Sequence, residues 1–133
     1  FCVSPSHSCC VIGITPIRSI AKFAVDEKLD TDMVLVYANR SIKDIIFKED
    51  FDIMQKQHHK LRVAHVLCEP APGLKCVVGL INAQVIKNEM PDYPQRKFYI
   101  CGPPAMVEAM QKILSEELFL PKENIITEKF AGY

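Results

Sequence analysis

The sequence predicts an α/β domain built on an open parallel sheet of about five strands, three layers deep, with helices on both faces. Three observations carry that expectation. Apolar runs such as Met33 to Ala38 alternate with stretches whose apolar residues recur at helical spacing, the pattern of β-α-β units. The runs are unbroken rather than alternating, as in strands covered on both faces. Two helical stretches open on small or rigid residues, Gly13-Ile14-Thr15-Pro16 and Cys101-Gly102-Pro103-Pro104-Ala105-Met106, which end an extended piece and begin a helix.

Taken in order, residues 1 to 11 are atypical. Ser6-His7-Ser8-Cys9 is polar and reads as irregular surface, so an altered or irregular segment is expected there. Helix one is expected to start at Pro16 with Thr15 as its cap. Its stripe of Ile17, Ile20, Ala21, Ala24 and Val25 should be buried. Met33 to Ala38 is a strand. Helix two should begin after Ser41, with Asp44 placed to return a capping contact and Ile42, Ile45, Ile46 and Ile53 facing the sheet. His58 and His59 read as exposed helix-end residues. Leu61 to Leu67 and Lys97 to Cys101 are strands. Between them lie a loop from Glu69 to Gly79, a short helix from Leu80 to Glu89, and a surface connection from Met90 to Arg96. The last helix runs from about Pro104 to Leu118. Its stripe is Met106, Val107, Met110, Ile113, Leu114 and Leu118, with Met110 in the core and Met106 either core or site. Ile125 to Phe130 closes the sheet.

The whole chain of 133 residues reads as one domain. Its formal charge is zero, with acids and bases interspersed, which argues against a nucleic-acid stripe or a membrane-attracting patch. No apolar run reaches the ~20 residues of a membrane span, and the first residues lack the pattern of a targeting segment. The six cysteines include no Cys-x-x-Cys pair. Reduced thiols in a cytoplasmic domain are therefore expected, and no metal site.

The two helix-opening segments carry the chemistry. A helix start offers free N–H groups and the positive end of the helix dipole. Two of them aimed at one crevice can hold an anion such as a dinucleotide pyrophosphate. Gly13 lets backbone approach a phosphate and Thr15 adds a hydroxyl, although the same residues would also suit a merely well-capped helix. Asn39-Arg40-Ser41 ends the second strand, where such sheets read the adenosine ribose, and Cys101 ends a strand where they place ligands. The Cys101 thiol can be catalytic, redox-active or simply small. No His or Asp stands at a spacing that suggests a nucleophilic dyad with it.

Together, Gly-x-Thr-Pro near the start, the turn Tyr37-Ala38-Asn39-Arg40, the segment Asp44-Ile45-Ile46-Phe47-Lys48-Glu49, Cys-Gly-Pro-Pro-x-Met at 101–106 and Glu128-Lys129-Phe130 resemble the nicotinamide-dinucleotide domain of the ferredoxin–NADP reductase-like flavoproteins. The resemblance covers roughly residues 12 to 133 and implies a Rossmann-like fold. It implies that the loop of Gly13, Ile14, Thr15 and Pro16 cradles the pyrophosphate, with Thr15 near the nicotinamide and flavin, that Cys101 packs near the nicotinamide, and that Gly102, Pro103, Pro104 and Met106 also bind the dinucleotide. It implies catalytic roles for Cys101, which orients the nicotinamide ring, and for Glu128, a carboxylate near the flavin, with Phe130 and Tyr133 against the flavin ring. Phe47 is either an adenine flank or a sheet-facing aromatic. Arg40 suits a 2′-phosphate, yet NADH-using members also carry it. Asn39, standing where NADPH readers often have serine, tips the expectation to NADH.

The sequence departs from the family pattern at Cys10-Val11, where Gly-Gly is usual and where side chains would crowd a phosphate. The family's flavin signature, Arg-x-Tyr/Phe-Ser/Thr, is approached only by Arg96-Lys97-Phe98-Tyr99 and fails at its last position. The implied function is therefore the NAD(P)H-binding half of a reductase, presenting the nicotinamide to FAD on a separate domain or chain, with an electron-acceptor protein downstream. The alternative is a non-catalytic nucleotide-binding or interaction module that has lost a competent pyrophosphate loop.

Overall fold

The computed structural model describes residues 7–11 and 14–129. Strands β1 (His7–Val11), β2 (Met33–Asn39), β3 (Leu61–Leu67), β4 (Cys76–Val78), β5 (Lys97–Gly102) and β6 (Ile125–Lys129) form one sheet in the order β4-β3-β2-β1-β5-β6. Every pairing is parallel. The sheet thus has six strands rather than about five. The extra one, β4, lies inside the stretch expected to be loop, and at three residues it is too short to leave a periodic signal.

The polar segment His7–Val11 is one of the two central strands, paired with β2 from His7↔Met33 to Val11↔Tyr37 and with β5 from His7↔Lys97 to Val11↔Cys101. The expectation of an irregular segment there is corrected as far as residue 7. Backbone N–H and C=O groups pair on both sides of a strand whatever its side chains are, so central position can override composition. Residues 1–6 lie outside the described residues.

Helices α1 (Ile14–Asp26) and α2 (Lys48–Gln57) cover one face, and α3 (Ala83–Glu89) and α4 (Pro104–Lys112), the last continued by a π-helical turn at Ile113–Glu117, cover the other. Alternate β2 residues feed the two cores. Met33, Leu35 and Tyr37 join Ile17, Ala21, Ala24, Phe51 and Met54, whereas Val34 and Val36 join Ile86, Phe98, Ile100, Val107, Met110 and Leu114. The α4 stripe is as expected.

Helix boundaries and faces differ elsewhere. α1 begins at Ile14, placing Thr15 inside the first turn, and Ile20 is exposed. After Ser41 comes only a 3-10 turn, Ile42–Asp44, with the Ser41 amide and hydroxyl both donating to Asp44 Oδ2 at 3.0 and 2.9 Å. α2 proper starts at Lys48 and buries Phe51 and Met54. Ile42, Ile46 and Ile53, expected to face the sheet, are exposed, Ile53 at 53%. Ile42 and Ile46 lie before α2, in the 3-10 turn and the turn that follows, and the delayed start leaves Ile53 on the outer face of the helix.

His58 is buried, with its Nε2 2.7 Å from the Leu29 carbonyl and its Nδ1 accepting the Lys60 amide at 3.3 Å. Met90 and Arg96, expected in a surface connection, are buried too. The Arg96 guanidinium reaches Asp32 Oδ2 at 2.9 Å and Asp92 Oδ1 at 2.8 Å.

Candidate functional site

The sheet order fixes where a ligand can sit. From β1 the chain builds outward to β2, β3 and β4 on one side and to β5 and β6 on the other. The connection after β1 lies on one face and that after β5 on the other, so a crevice opens at the carboxyl ends of these two neighbours. α1 and α4 both begin there, because β1 runs into α1 and β5 into α4. Neither helix has an acidic residue in its first turn and no side chain caps α4, so no carboxylate of their own offsets the two positive ends. Pro103 starts α4, its carbonyl accepting the Val107 amide at 3.0 Å.

Beside this crevice lies an apolar groove of about 340 Å3, lined by Ala38, Asn39 and Arg40 after β2, Cys68 after β3, Gly79, Leu80 and Ile81 after β4, and Met106, Ala109, Met110 and Ile113 from α4. Asn39 Nδ2 is buried and has no hydrogen-bond partner. An unmatched donor in an apolar wall is costly unless a ligand supplies the acceptor. Arg40 is exposed, its Nε 3.9 Å from Glu69 Oε1, and the Glu69 amide donates to the Arg40 carbonyl at 3.2 Å. The backbone therefore holds that carboxylate beside the turn.

Cys101 and Glu128 are register partners on β5 and β6, so both side chains rise on one face near the carboxyl ends of their strands. Cys101 is buried while Glu128 is exposed. Burial, with a smaller push from Glu128, raises the Cys101 pKa above the ordinary thiol range, so this residue is a neutral thiol near pH 7 and not an activated nucleophile.

The other expected site residues divide. Thr15 and Pro16 are exposed in the first turn of α1, whereas the Ile14 side chain is spent in the core at 6% exposure. Gly102 is buried, Pro103 half-buried and Pro104 exposed at the start of α4. Met106 and Asn39 are brought together in the groove. Phe47 is not among the groove residues; it packs on the core beneath α1 and α2 with the Arg18 guanidinium over its ring, which is its sheet-facing alternative. Gly13, Phe130 and Tyr133 lie outside the described residues. Among the described residues no cluster of His, Cys, Asp and Glu could hold a metal ion, and no helix is long and apolar enough to cross a membrane. Sequence reasoning missed Leu80 and Ile81, because the brief β4 hid the strand end that places them, and it missed Ala109 on α4 and Glu69 after β3.

Known proteins match this architecture. The family described as oxidoreductase NAD-binding domain matches residues 12–112. The chain belongs to that family. It is 35% identical over 118 residues to NADH-cytochrome b5 reductase 1 of Mortierella alpina, covering 87% of this chain and 39% of that protein. It is 31% identical over 115 residues to a nitrate reductase [NAD(P)H] of Betula pendula, covering 84% of this chain and 13% of that one. Among solved structures, the Amycolatopsis cytochrome P450 reductase superposes with a TM-score of 0.76 at 25% identity, over 94% of this chain and 38% of that one. The cytochrome b5 reductase domain of Ulva prolifera nitrate reductase, at 24% identity and a TM-score of 0.77 over 92% of this chain and 47% of that one, shares the fold. The chain thus corresponds to the NAD-binding domain of flavoprotein reductases and spans less than half the length of these relatives.

Proposed function

We propose that this domain binds NADH and presents the nicotinamide to FAD held on a separate domain or chain, as the electron-entry half of a reductase that feeds an acceptor protein. The observation that carries this is the groove: an apolar slot beside two helix starts with no acidic residue in their first turns, with the unpartnered Asn39 amide in its wall. Its apolar lining suits an adenine ring, and Asn39 and Arg40 stand where the ribose follows. The pyrophosphate then bridges the starts of α1, with Gly13, Thr15 and Pro16, and of α4, with Gly102 to Pro104. The nicotinamide comes to lie against Cys101, with Met106 at the junction with the groove.

When bound, FAD supplies the acceptor for the hydride leaving nicotinamide C4. This chain's own contribution is orientation. The neutral Cys101 thiol offers a small polarizable surface to the ring, and Glu128 holds a carboxylate beside it at the exposed side. Phe130 and Tyr133, which follow β6 in the chain, are the residues proposed to meet the flavin ring.

The preference for NADH over NADPH rests on Glu69. Its carboxylate partly neutralises Arg40 and would repel a 2′-phosphate at the same turn. Calorimetric titration of the wild-type chain and Glu69→Gln with both dinucleotides tests this. NADPH binding is expected to tighten about five- to tenfold in the variant with NADH nearly unchanged, a modest factor because the pair is solvent-exposed. An unchanged ratio removes Glu69 from the explanation, and a wild-type chain that binds neither dinucleotide removes the function.

A further inference from the structure

We propose that Arg18 is a positioning residue for dinucleotide binding: gripped by Asp50 and laid over Phe47, it fixes the turn after β2 against α1 and so sets the spacing between the adenosine and pyrophosphate halves of the site. The inference rests on the dinucleotide reading above and adds a residue that touches no ligand.

Phe47 is the starting point. Its φ of 60° and ψ of 24° put it in the left-handed region, which a bulky side chain occupies only where its surroundings over-determine it. Those surroundings are visible. The ring packs against the core beneath α1 and α2, and the Phe47 carbonyl accepts the Phe51 amide at 3.0 Å as the first bond of α2. The Arg18 guanidinium lies 4.8 Å from the ring centroid, within cation–π range. Arg18 Nε donates to Asp50 Oδ2 at 2.5 Å. Arg18 stands in the second turn of α1 and Asp50 in the first turn of α2, so the contact ties the two helices at their site-facing ends.

The segment between these helices carries the ribose-reading residues. Its outer end is hooked to the strand beyond: the Cys68 amide donates to the Asn39 carbonyl at 3.3 Å and the Glu69 amide to that of Arg40 at 3.2 Å. Its middle is closed by Ser41 and Asp44, and the Ile46 amide donates to the Tyr37 hydroxyl at 3.3 Å. None of these bonds refers the turn to α1; the Arg18 contact does. Because Asp50 already balances the Arg18 charge, the residue's contribution is geometric rather than an added positive field. A ligand anchored at both α1 and the turn gains from the second anchor only when their separation is right. If the turn drifts, each half still binds, but the advantage of joining them falls.

The test uses Arg18→Met, which keeps the stem and removes the guanidinium, with Arg18→Lys as the conservative partner. ADP-ribose, which spans both anchors, is titrated by calorimetry, and adenosine, which needs only the groove and turn, by NMR shifts. Arg18→Met is expected to weaken ADP-ribose about tenfold and adenosine less than about twofold, the signature of lost joint anchoring. Arg18→Lys should recover part of the loss. Equal weakening of both ligands would mean that Arg18 merely supports the fold locally, and unchanged ADP-ribose binding would mean that it positions nothing; either overturns the proposal. Wild-type protein that binds NADH but shows the same ligand ratio as Arg18→Met overturns this inference alone, whereas wild-type protein that binds none of the ligands overturns the dinucleotide reading and the positioning role together.

Discussion

The two ends of the sheet treat their polar groups in opposite ways. At the amino end, Arg96, only 4% exposed, joins the starts of β2 and β5 across β1 through Asp32 and, four residues back, Asp92. Burial pushes the Asp92 carboxyl up, but the hydrogen bond and charge of Arg96 outweigh it and hold the group below the usual carboxylate range. His58 has both ring nitrogens engaged. Because Nδ1 accepts from the Lys60 amide, Nε2 must carry the proton it donates to Leu29. Lys60 pairs with Asp30 nearby. At the carboxyl end, by contrast, Asn39 keeps an unpartnered buried amide, the groove walls are apolar, and two helix starts lack an acid of their own. One end closes its hydrogen-bond accounts within the chain and holds the fold. The other leaves a buried donor open, as the proposed dinucleotide site requires.

That contrast can be broken most forcefully at Arg96. Arg96→Ala should cost roughly 3 kcal/mol in urea unfolding, the low end for a broken buried pair because both carboxylates stay half in water. A loss no larger than that of an exposed salt bridge would show that the amino end is not the structural one. Ala109→Phe makes the reciprocal test. A ring placed in the groove should weaken NADH at least about tenfold, or ~1.4 kcal/mol, while unfolding stability moves within about 0.5 kcal/mol, as for a surface change. A large stability loss with unchanged binding would reverse the roles of the two ends.

The finest test is His65, which lies between them on β3. It is 5% exposed, its Nδ1 has no hydrogen-bond partner, and burial followed by the Lys48 charge lowers its pKa below the ordinary 6.5, against a smaller opposing pull from Asp52. The folded chain resists the proton that the unfolded chain accepts. Stability is therefore complete above pH 6.5 and declines as pH falls from there through the folded-state value. His65→Leu should flatten that decline. Matching slopes for wild type and variant between about pH 7.5 and 5.5 would show that another group carries it.

How much of this was legible in advance follows from the range of each signal. β2 announced itself because a strand covered on both faces is apolar almost throughout, and β3 and β5 because their apolar residues outnumber Arg62, His65 and Lys97. α4 did so because its stripe of Val107, Met110 and Leu114 repeats for several turns. The two helix-opening motifs named the crevice, since residue types at a helix start are fixed by local backbone geometry. The groove was less legible. Asn39, Arg40 and Met106 could be nominated singly, but Leu80 and Ile81 join them only because β4 pairs with β3 for three residues.

The sequence by itself therefore determined the parallel α/β class, the family and the two helix starts, all consequences of local propensity and short-range pattern. Tertiary structure alone decided that polar His7–Val11 is a central strand, that α2 waits until Lys48 and leaves Ile42, Ile46 and Ile53 exposed, and that Arg96 and His58 are buried. The physical reason is common to all three. Backbone pairing, helix phase and charge burial are set by partners far along the chain, such as Met33 and Lys97 for His7 or Asp32 for Arg96. No window along the sequence contains both members of such a pair.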